Sequence, residues 1–321
     1  MAGSIQKTVI LAKVETASGT DAAPTHTADA VAIRVSNLSV KVTEKFAERD
    51  TIIGAFAAPD RLPYTRRAEV TFSCELQSSG TLGTAPAWGD LLIGCGFAEA
   101  ITAGARVDYT PSSIGLKTLT IWAYINDRLE KYNFCAGTFK LNMSVGQVPS
   151  LDFTFTGLVS SVTGSAGVTP TLTGWIRPEA VGPVATTQLS LGAATYSAGA
   201  ITGGTAYNFK DFSIDCANDV QDLELATQET VAIYGRAPTC SLTADLGPSA
   251  HANLVADMHA GTARALGLVH GSASGRKVLV YAPVGVITSV SDQVDGTKMF
   301  SAVEMTLRPS SANDDFRIVA I

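Results

Sequence analysis

Ala68-Glu-Val-Thr-Phe-Ser-Cys-Glu-Leu76 alternates apolar and polar residues without a break. Successive side chains of a strand point to opposite faces. This period of two therefore predicts a half-buried β-strand, with Val70, Phe72, Cys74 and Leu76 inward and Glu69, Thr71, Ser73 and Glu75 facing water or a partner. The same period recurs in Leu119, Ile121 and Ala123 against Thr118, Thr120 and Trp122. It recurs again in Phe139, Leu141, Met143 and Val145 against Lys140, Asn142 and Ser144, and in Leu151, Phe153 and Phe155 before Gly157. One helix interrupts the pattern: Pro86 at a first-turn position precedes Trp88, Leu91, Leu92, Cys95 and Phe97 at helical spacing, and Gly94 and Gly96 end it.

The second half repeats this order. Val35-Ser-Asn-Leu-Ser-Val40-Lys-Val42 matches Phe209-Lys-Asp-Phe-Ser-Ile214-Asp-Cys216, and Arg66, Val70, Phe72, Cys74 and Leu76 match Arg236, Cys240, Leu242, Ala244 and Leu246. A second helix is expected over Ser249 to Ala260, and Leu151-Asp-Phe-Thr-Phe155 aligns with Val303-Glu-Met-Thr-Leu307. A collinear series with a helix in the same slot predicts one mainly β fold written twice: two tandem β-sandwich or barrel domains, each with one flanking α-helix. The expected boundaries are an N-terminal arm at 1–31, the first copy at 32–159, a linker at 160–204 with a hairpin (187–191 against 194–197), and the second copy at 205–321. Each copy also has a long connection after its first strand, Thr43 to Tyr64 and Ala217 to Gly235. Loops of that length in a compact domain are usually functional.

Composition narrows the function. Charged residues are 16% and the formal net charge is -6, which disfavours adhesive binding to nucleic acid, because that needs a basic face. No apolar run of eighteen residues is present to span a bilayer, and residues 1–7 lack the pattern of a secretory signal, so synthesis in the cytosol and no membrane partner are expected. Cys74, Cys95, Cys135, Cys216 and Cys240 are odd in number and form no C-x-x-C, so buried thiols are expected. His251 and His259 share a helix at a spacing unsuited to a metal, and no Gly-x-Ser-x-Gly elbow occurs. Gly94-Cys-Gly96 and Gly271-Ser-Ala-Ser-Gly275 lack the context of nucleotide loops. No enzyme, metal or cofactor is expected.

The strongest charge pattern is Asp211, Asp215, Asp219, Asp222, Glu224 and Glu229, with no Lys or Arg between Asp211 and Gly235. The matching region of the first half is mixed: Lys41, Glu44, Lys45, Glu48, Arg49 and Asp50. Three readings are open for the acidic stretch: an ordinary solvated loop, a phosphate-repelling surface, or a loop meeting its oppositely charged counterpart across a subunit junction.

The chain resembles the tail tube proteins of long, non-contractile-tailed bacteriophages. The resemblance rests on Leu11-Ala-Lys-Val-Glu-Thr16 through Gly19-Thr20, Val35-Ser-Asn-Leu-Ser39 and Arg67-Ala-Glu-Val-Thr-Phe-Ser-Cys-Glu-Leu76. It continues in Gly80-Thr-Leu-Gly-Thr-Ala-Pro-Ala-Trp-Gly-Asp-Leu-Leu92 with Cys95-Gly-Phe97, and in Leu119-Thr-Ile-Trp122 through Ala136-Gly-Thr-Phe139 to Leu151–Phe155. It implies a β-sandwich flanked by a helix that polymerises into stacked rings around a channel for DNA, the inner sheets joined into a barrel and the long loops contacting the next ring. With the domain duplicated, a ring of three chains with pseudo-sixfold symmetry is expected, and charge reversal of Asp219 and Asp222 is expected to affect DNA passage or ring stacking more than folding. The implied partners are the tape measure protein, other tail proteins and DNA that passes without specific binding. The implied location is the virion tail, assembled in the host cytoplasm. The alternatives are another tube-fold tail component, such as a tail-completion or baseplate hub protein, and an adhesive or carbohydrate-binding β-sandwich. Low aromatic content, 7%, argues against the last.

Overall fold

The computed structural model describes residues 7–27, 31–49, 51, 60–186 and 189–321. Its first half contains β1 (Val9–Val14), β2 (Ala32–Ile33), β3 (Ser36–Glu48), β4 (Arg61–Glu75), α1 (Gly89–Gly94), β5 (Phe97–Thr102), β6 (Arg106–Pro111), β7 (Leu119–Ile125), β8 (Arg128–Ser144) and β9 (Ser150–Gly164). Next come β10 (Leu189–Gly192), β11 (Thr195–Ser197), β12 (Ala200–Thr202), β13 (Thr205–Asp215), β14 (Asn218–Leu225), β15 (Gln228–Arg236) and β16 (Thr239–Asp245). The chain ends with α2 (Pro248–Ala260), β17 (Ala263–His270), β18 (Val278–Asp295), β19 (Lys298–Arg308) and β20 (Arg317–Ala320). The protein is mainly β, as its alternation predicts.

The pairing order of the first half recurs in the second. β3 pairs β4, β4 pairs β9, β9 pairs β8, β8 pairs β7, β7 pairs β1, and β1 returns to β2, immediately before β3. Likewise β13 pairs β16, β16 pairs β19, β19 pairs β18, β18 pairs β17, β17 pairs β10, and β10 returns to β13. The second circuit closes, with β10 returning to β13, whereas the first leaves β3 paired with β4 alone among the described residues, so one edge stays open there. α1 lies between β4 and β7 in sequence, and α2 between β16 and β17.

Register sharpens the internal match. The pair Val40↔Val70 reappears as Ile214↔Cys240, as the sequence alignment expects, and β3 and β13 each carry an irregularity in their pairing near the same place. The closing strand is different. Phe155 faces Val70 whereas Met305 faces Cys240, so Phe155 corresponds to Met305 and not to Leu307. A slip of two residues preserves the inward face, so alternation alone could not detect it.

Three other expectations change. Val9–Val14 is a packed strand rather than an extended arm, because Val9, Ile10, Leu11 and Ala12 are apolar enough to be buried on both faces. The hairpin expected within the linker falls one strand later. β10 joins the large sheet, and β11 pairs β12, while Thr187 and Gln188 lie outside the described residues. The linker is also anchored: Trp175 is buried and donates from Nε1 to Ala32 O at 2.9 Å, and the buried His270 bonds Thr186 Oγ1 and Glu179 O. Third, both long connections contain paired strands: among the described residues β3 runs on to Glu48 against Arg61 of β4, beyond the part of β4 that pairs β9, and β14 pairs β15 in a hairpin folded back over β8.

One apolar core spans both halves. Phe72, Phe139, Phe153 and Phe155 stack at its centre with centroids 5.6–5.9 Å apart, and Phe316 of the C-terminal segment joins Phe97 at 5.4 Å and Phe139 at 6.3 Å. The two circuits are tied further by β8·β13 and β6·β20. α1 is shorter than its apolar stripe suggests. Trp88 is buried before it with Nε1 on Gln77 O, a Cβ at Gly94 would meet Leu119 at 2.5 Å, and Gly96 leaves the helix at φ +81°. All five cysteines are buried and unpaired, and burial pushes their thiol pKa values well up, so every one is held protonated and unreactive. Ellman's reagent is therefore expected to leave the native protein unlabelled and to titrate five thiols after unfolding; rapid native labelling would contradict the packing.

Candidate assembly surface

The face of the sheet opposite the core is polar and crosses from one circuit into the other. Ser73 stands opposite Asp152, Asp152 opposite Lys140, Lys140 opposite Asp215, Asp215 opposite Thr239, and Thr239 opposite Thr306. The adjacent row reads Glu75, Ser150, Asn142, Ser213, Ser241, Glu304 and Ser289. Sequence alternation produces this surface directly: each outward residue sits between core residues such as Phe153, Leu141, Ile214, Leu242 and Met305. Across these two rows Lys140 is the one basic residue, against Glu75, Asp152, Asp215 and Glu304. Asp211 and Asp215, expected in an acidic loop, are therefore on a strand of this face.

The remaining acidic candidates sit on the folded-back hairpin. Asp219, Asp222 and Glu224 are on β14 and Glu229 is on β15. The chain turns at Ala217 (φ +46°), and Asn218 pins the turn by donating from Nδ2 to Cys95 O at 2.7 Å and Gly137 O at 2.9 Å. Val231 is buried as β15 lies over Phe134 and Ala136 of β8. This docking brings the hairpin against the extended β3–β4 hairpin of the first half.

There the charges meet. Lys45 Nζ lies 2.5 Å from Asp222 Oδ2 and 2.7 Å from Glu224 Oε1. Arg67 reaches Asp222 at 3.1 Å, Glu224 at 3.0 Å and Glu229 at 3.5 Å with three different nitrogens, and its side chain is only 8% exposed. Thr65 Oγ1 donates to Glu229 at 3.0 Å and Tyr64 Oη to Glu224 at 3.2 Å. The Lys45 hydrogen bond leads in holding the Asp222 carboxyl well below the usual carboxylate range, against the opposing effect of burial, with Arg67 adding to it. The same bond, followed by that to Glu224, raises the Lys45 pKa.

The two long segments thus meet inside one chain, where sequence reasoning considers a contact between subunits. Arg67, the centre of the cluster, escapes sequence reasoning because it reads as an ordinary outward position of an alternating strand. The effect expected for reversing Asp219 and Asp222 also divides: Asp219 is bonded by Gln221 Nε2 at 2.8 Å, outside the cluster, whereas reversing Asp222 would strike the docking of the hairpin itself. Glu44 pairs with Arg66, Glu48 with Arg61 and Arg49 with Asp60 along the exposed hairpin, contacts worth little to stability. Asp50 lies outside the described residues. Val42, Phe46, Leu62 and Tyr64 on this hairpin are exposed although large and apolar.

Among the described residues no three His, Cys, Asp or Glu side chains are grouped to hold a metal, and no helix is long and apolar enough to cross a membrane. His251 instead bonds Ser301 Oγ at 2.8 Å, and Asp257 pairs with Arg264. No curated protein matches the chain. A family model described as phage tail tube protein matches residues 5–314, nearly its full length. A mainly β chain with a polar sheet face, exposed apolar hairpins and this match belongs to the phage tail tube protein family, structural proteins of the virion tail.

Proposed function

We propose that this chain polymerises into stacked rings that form the tube of a long non-contractile tail, through which DNA leaves for the host. The observation that carries the reading is the polar face running without interruption across both strand circuits. A wall of Ser, Thr and predominantly acidic residues releases no counterions from phosphate, so DNA can pass without being held. The recurring pairing order supports two tandem tube domains in one chain, and hence three chains per ring with pseudo-sixfold symmetry.

On this reading Asp211 and Asp215 face the lumen, and Asp219, Asp222, Glu224 and Glu229 belong to an acidic hairpin at its rim or at a subunit contact. The β3–β4 hairpin, with Glu44, Lys45, Glu48, Arg49 and Asp50, contacts the next ring, where its exposed apolar residues are covered. The tape measure protein and other tail proteins are the further partners, and assembly takes place in the host cytoplasm.

Negative-stain microscopy of the concentrated protein tests the reading. Hollow filaments, or stacked rings with six lobes in end view, are the expected result. Particles that stop at a single ring would identify a connector instead. A monomer retained on a polysaccharide column would overturn the tube in favour of an adhesive protein.

A further inference from the structure

We propose, resting on the ring reading, that neighbouring subunits join by adding β3 of one chain to the free edge of β18 in the next, in the register that β13 already takes on β8 within each chain. The internal junction is the template. The C-terminal part of β8 pairs β9 on one side and β13 on the other, with Asn142 opposite Ser213, Leu141 opposite Ile214 and Met143 opposite Phe212. The four apolar residues of this junction are all buried.

The counterparts of both strands are unpaired at the same edges. β18 pairs β17 only as far as Val286, so residues 287–295 carry β19 on one side and no other strand among the described residues. β3 pairs β4 alone among the described residues. Register fixes which residues correspond. Val40 and Leu38 take the places of Ile214 and Phe212, because Val40↔Val70 matches Ile214↔Cys240. Phe72↔Phe153 matches Leu242↔Val303, and Phe153 and Val303 face Phe139 and Val290. Val290 therefore takes the place of Phe139, and Gln293 and Val294 those of Asn142 and Met143.

The junction that results places Ser39 opposite Gln293, Leu38 opposite Val294 and Val42 opposite Val290. Its chemistry is coherent on both faces. Ser39 and Gln293 continue the polar wall as Ser213 and Asn142 do. On the core side, Val42 and Val294, now 46% and 69% exposed, become covered. Asp292 replaces Leu141 opposite Val40, and its carboxylate has His251 Nδ1 3.8 Å away on α2. Two open edges in one chain are an aggregation liability unless they complete each other. A head-to-tail contact of this kind closes into a ring when its rotation permits.

Cysteine pairing tests the register, since the Cα spacing of about 4.5–5.5 Å across antiparallel partners suits a disulfide. In assembled protein, oxidised S39C/Q293C is expected to give covalent species ending at three chains on a non-reducing gel. S213C/N142C should close within one chain, and the off-register pair S39C/S289C should stay reduced. Normal tubes in which S39C/Q293C remains unlinked while S213C/N142C closes would overturn this junction and leave the ring reading standing. Cross-linking of S39C/S289C in its place would overturn the register. Absence of rings and tubes altogether in the unmodified protein overturns the ring reading, and the junction with it.

Discussion

Replacing Arg67 by Ala is expected to lower the stability of the subunit by about 3 kcal/mol, the low end of the cost of removing one partner from a buried ion pair. The guanidinium is nearly inaccessible and is the cation that spans Asp222, Glu224 and Glu229. Without it Lys45 still meets the first two carboxylates, but Glu229 keeps only the Thr65 hydroxyl among these contacts. The carboxylates are 23–38% exposed, so water offsets part of the repulsion, which is why the low end applies. Arg67→Lys should recover only part of the loss, because one ammonium cannot present three divergent donors. Urea unfolding at neutral pH measures the effect, and an unchanged midpoint would remove the cluster from any role in holding the hairpin. The acid limb gives a second reading. The folded-state pKa of Asp222 is depressed, so its contribution is present above the unfolded carboxylate value of about 3.9 and is lost as pH falls below it toward the folded value. Arg67→Ala should show a shallower loss over that acid window than the parent chain, since part of the depression comes from Arg67 itself.

The cluster also marks where sequence reasoning stops. Alternation identifies the strands around Phe72, Phe139, Phe153 and Leu242, because a half-buried sheet imposes a period of two whatever its partners. It places both helices and matches Val40 with Ile214. It does not reveal that Thr43 to Tyr64 and Ala217 to Gly235 contain paired strands. On β14, Val220, Leu223 and Leu225 are interspersed with Asp219, Asp222 and Glu224, and neither face is deep in a core, so no clean alternation survives. Contacts such as Lys45 with Asp222 join residues remote in sequence, and nothing local encodes them. Glu15 teaches the same lesson. Nothing in the Leu11–Thr16 stretch marks it as an interior residue, yet it is buried and accepts hydrogen bonds from Gly19 N, Phe134 N and the hydroxyls of Thr118 and Thr120. Gly19 is needed beside it, at φ +82°, because a Cβ there would collide with the Phe134 ring.

Reversing three carboxylates of the polar face, with Glu69, Asp211 and Glu304 all changed to Lys, is expected to turn a passive wall into a DNA-retaining one. Glu69 and Glu304 are exposed and Asp211 is half-buried, and each points away from the core residues Val70, Phe212 and Met305. Subunit stability should therefore change by no more than about 0.5 kcal/mol per substitution. In the proposed tube the electrostatic effect is much larger, because every chain of a ring would repeat the change and successive rings would repeat it along the lumen. Each additional phosphate neutralised steepens the fall of log affinity with log salt by about 0.9. Tubes of the variant should hold linear DNA at least about 100-fold more tightly than unmodified tubes at low salt, and release it as salt rises. Attraction alone does not locate the face, since lysines on an outer wall would also gather DNA. Nuclease protection separates the two arrangements: DNA retained in a lumen stays intact, whereas DNA on the exterior is digested. Protected, salt-sensitive retention is the expected result. Retention without protection would place this face outside the tube, and tubes that hold no more DNA than the parent would show that DNA never meets it.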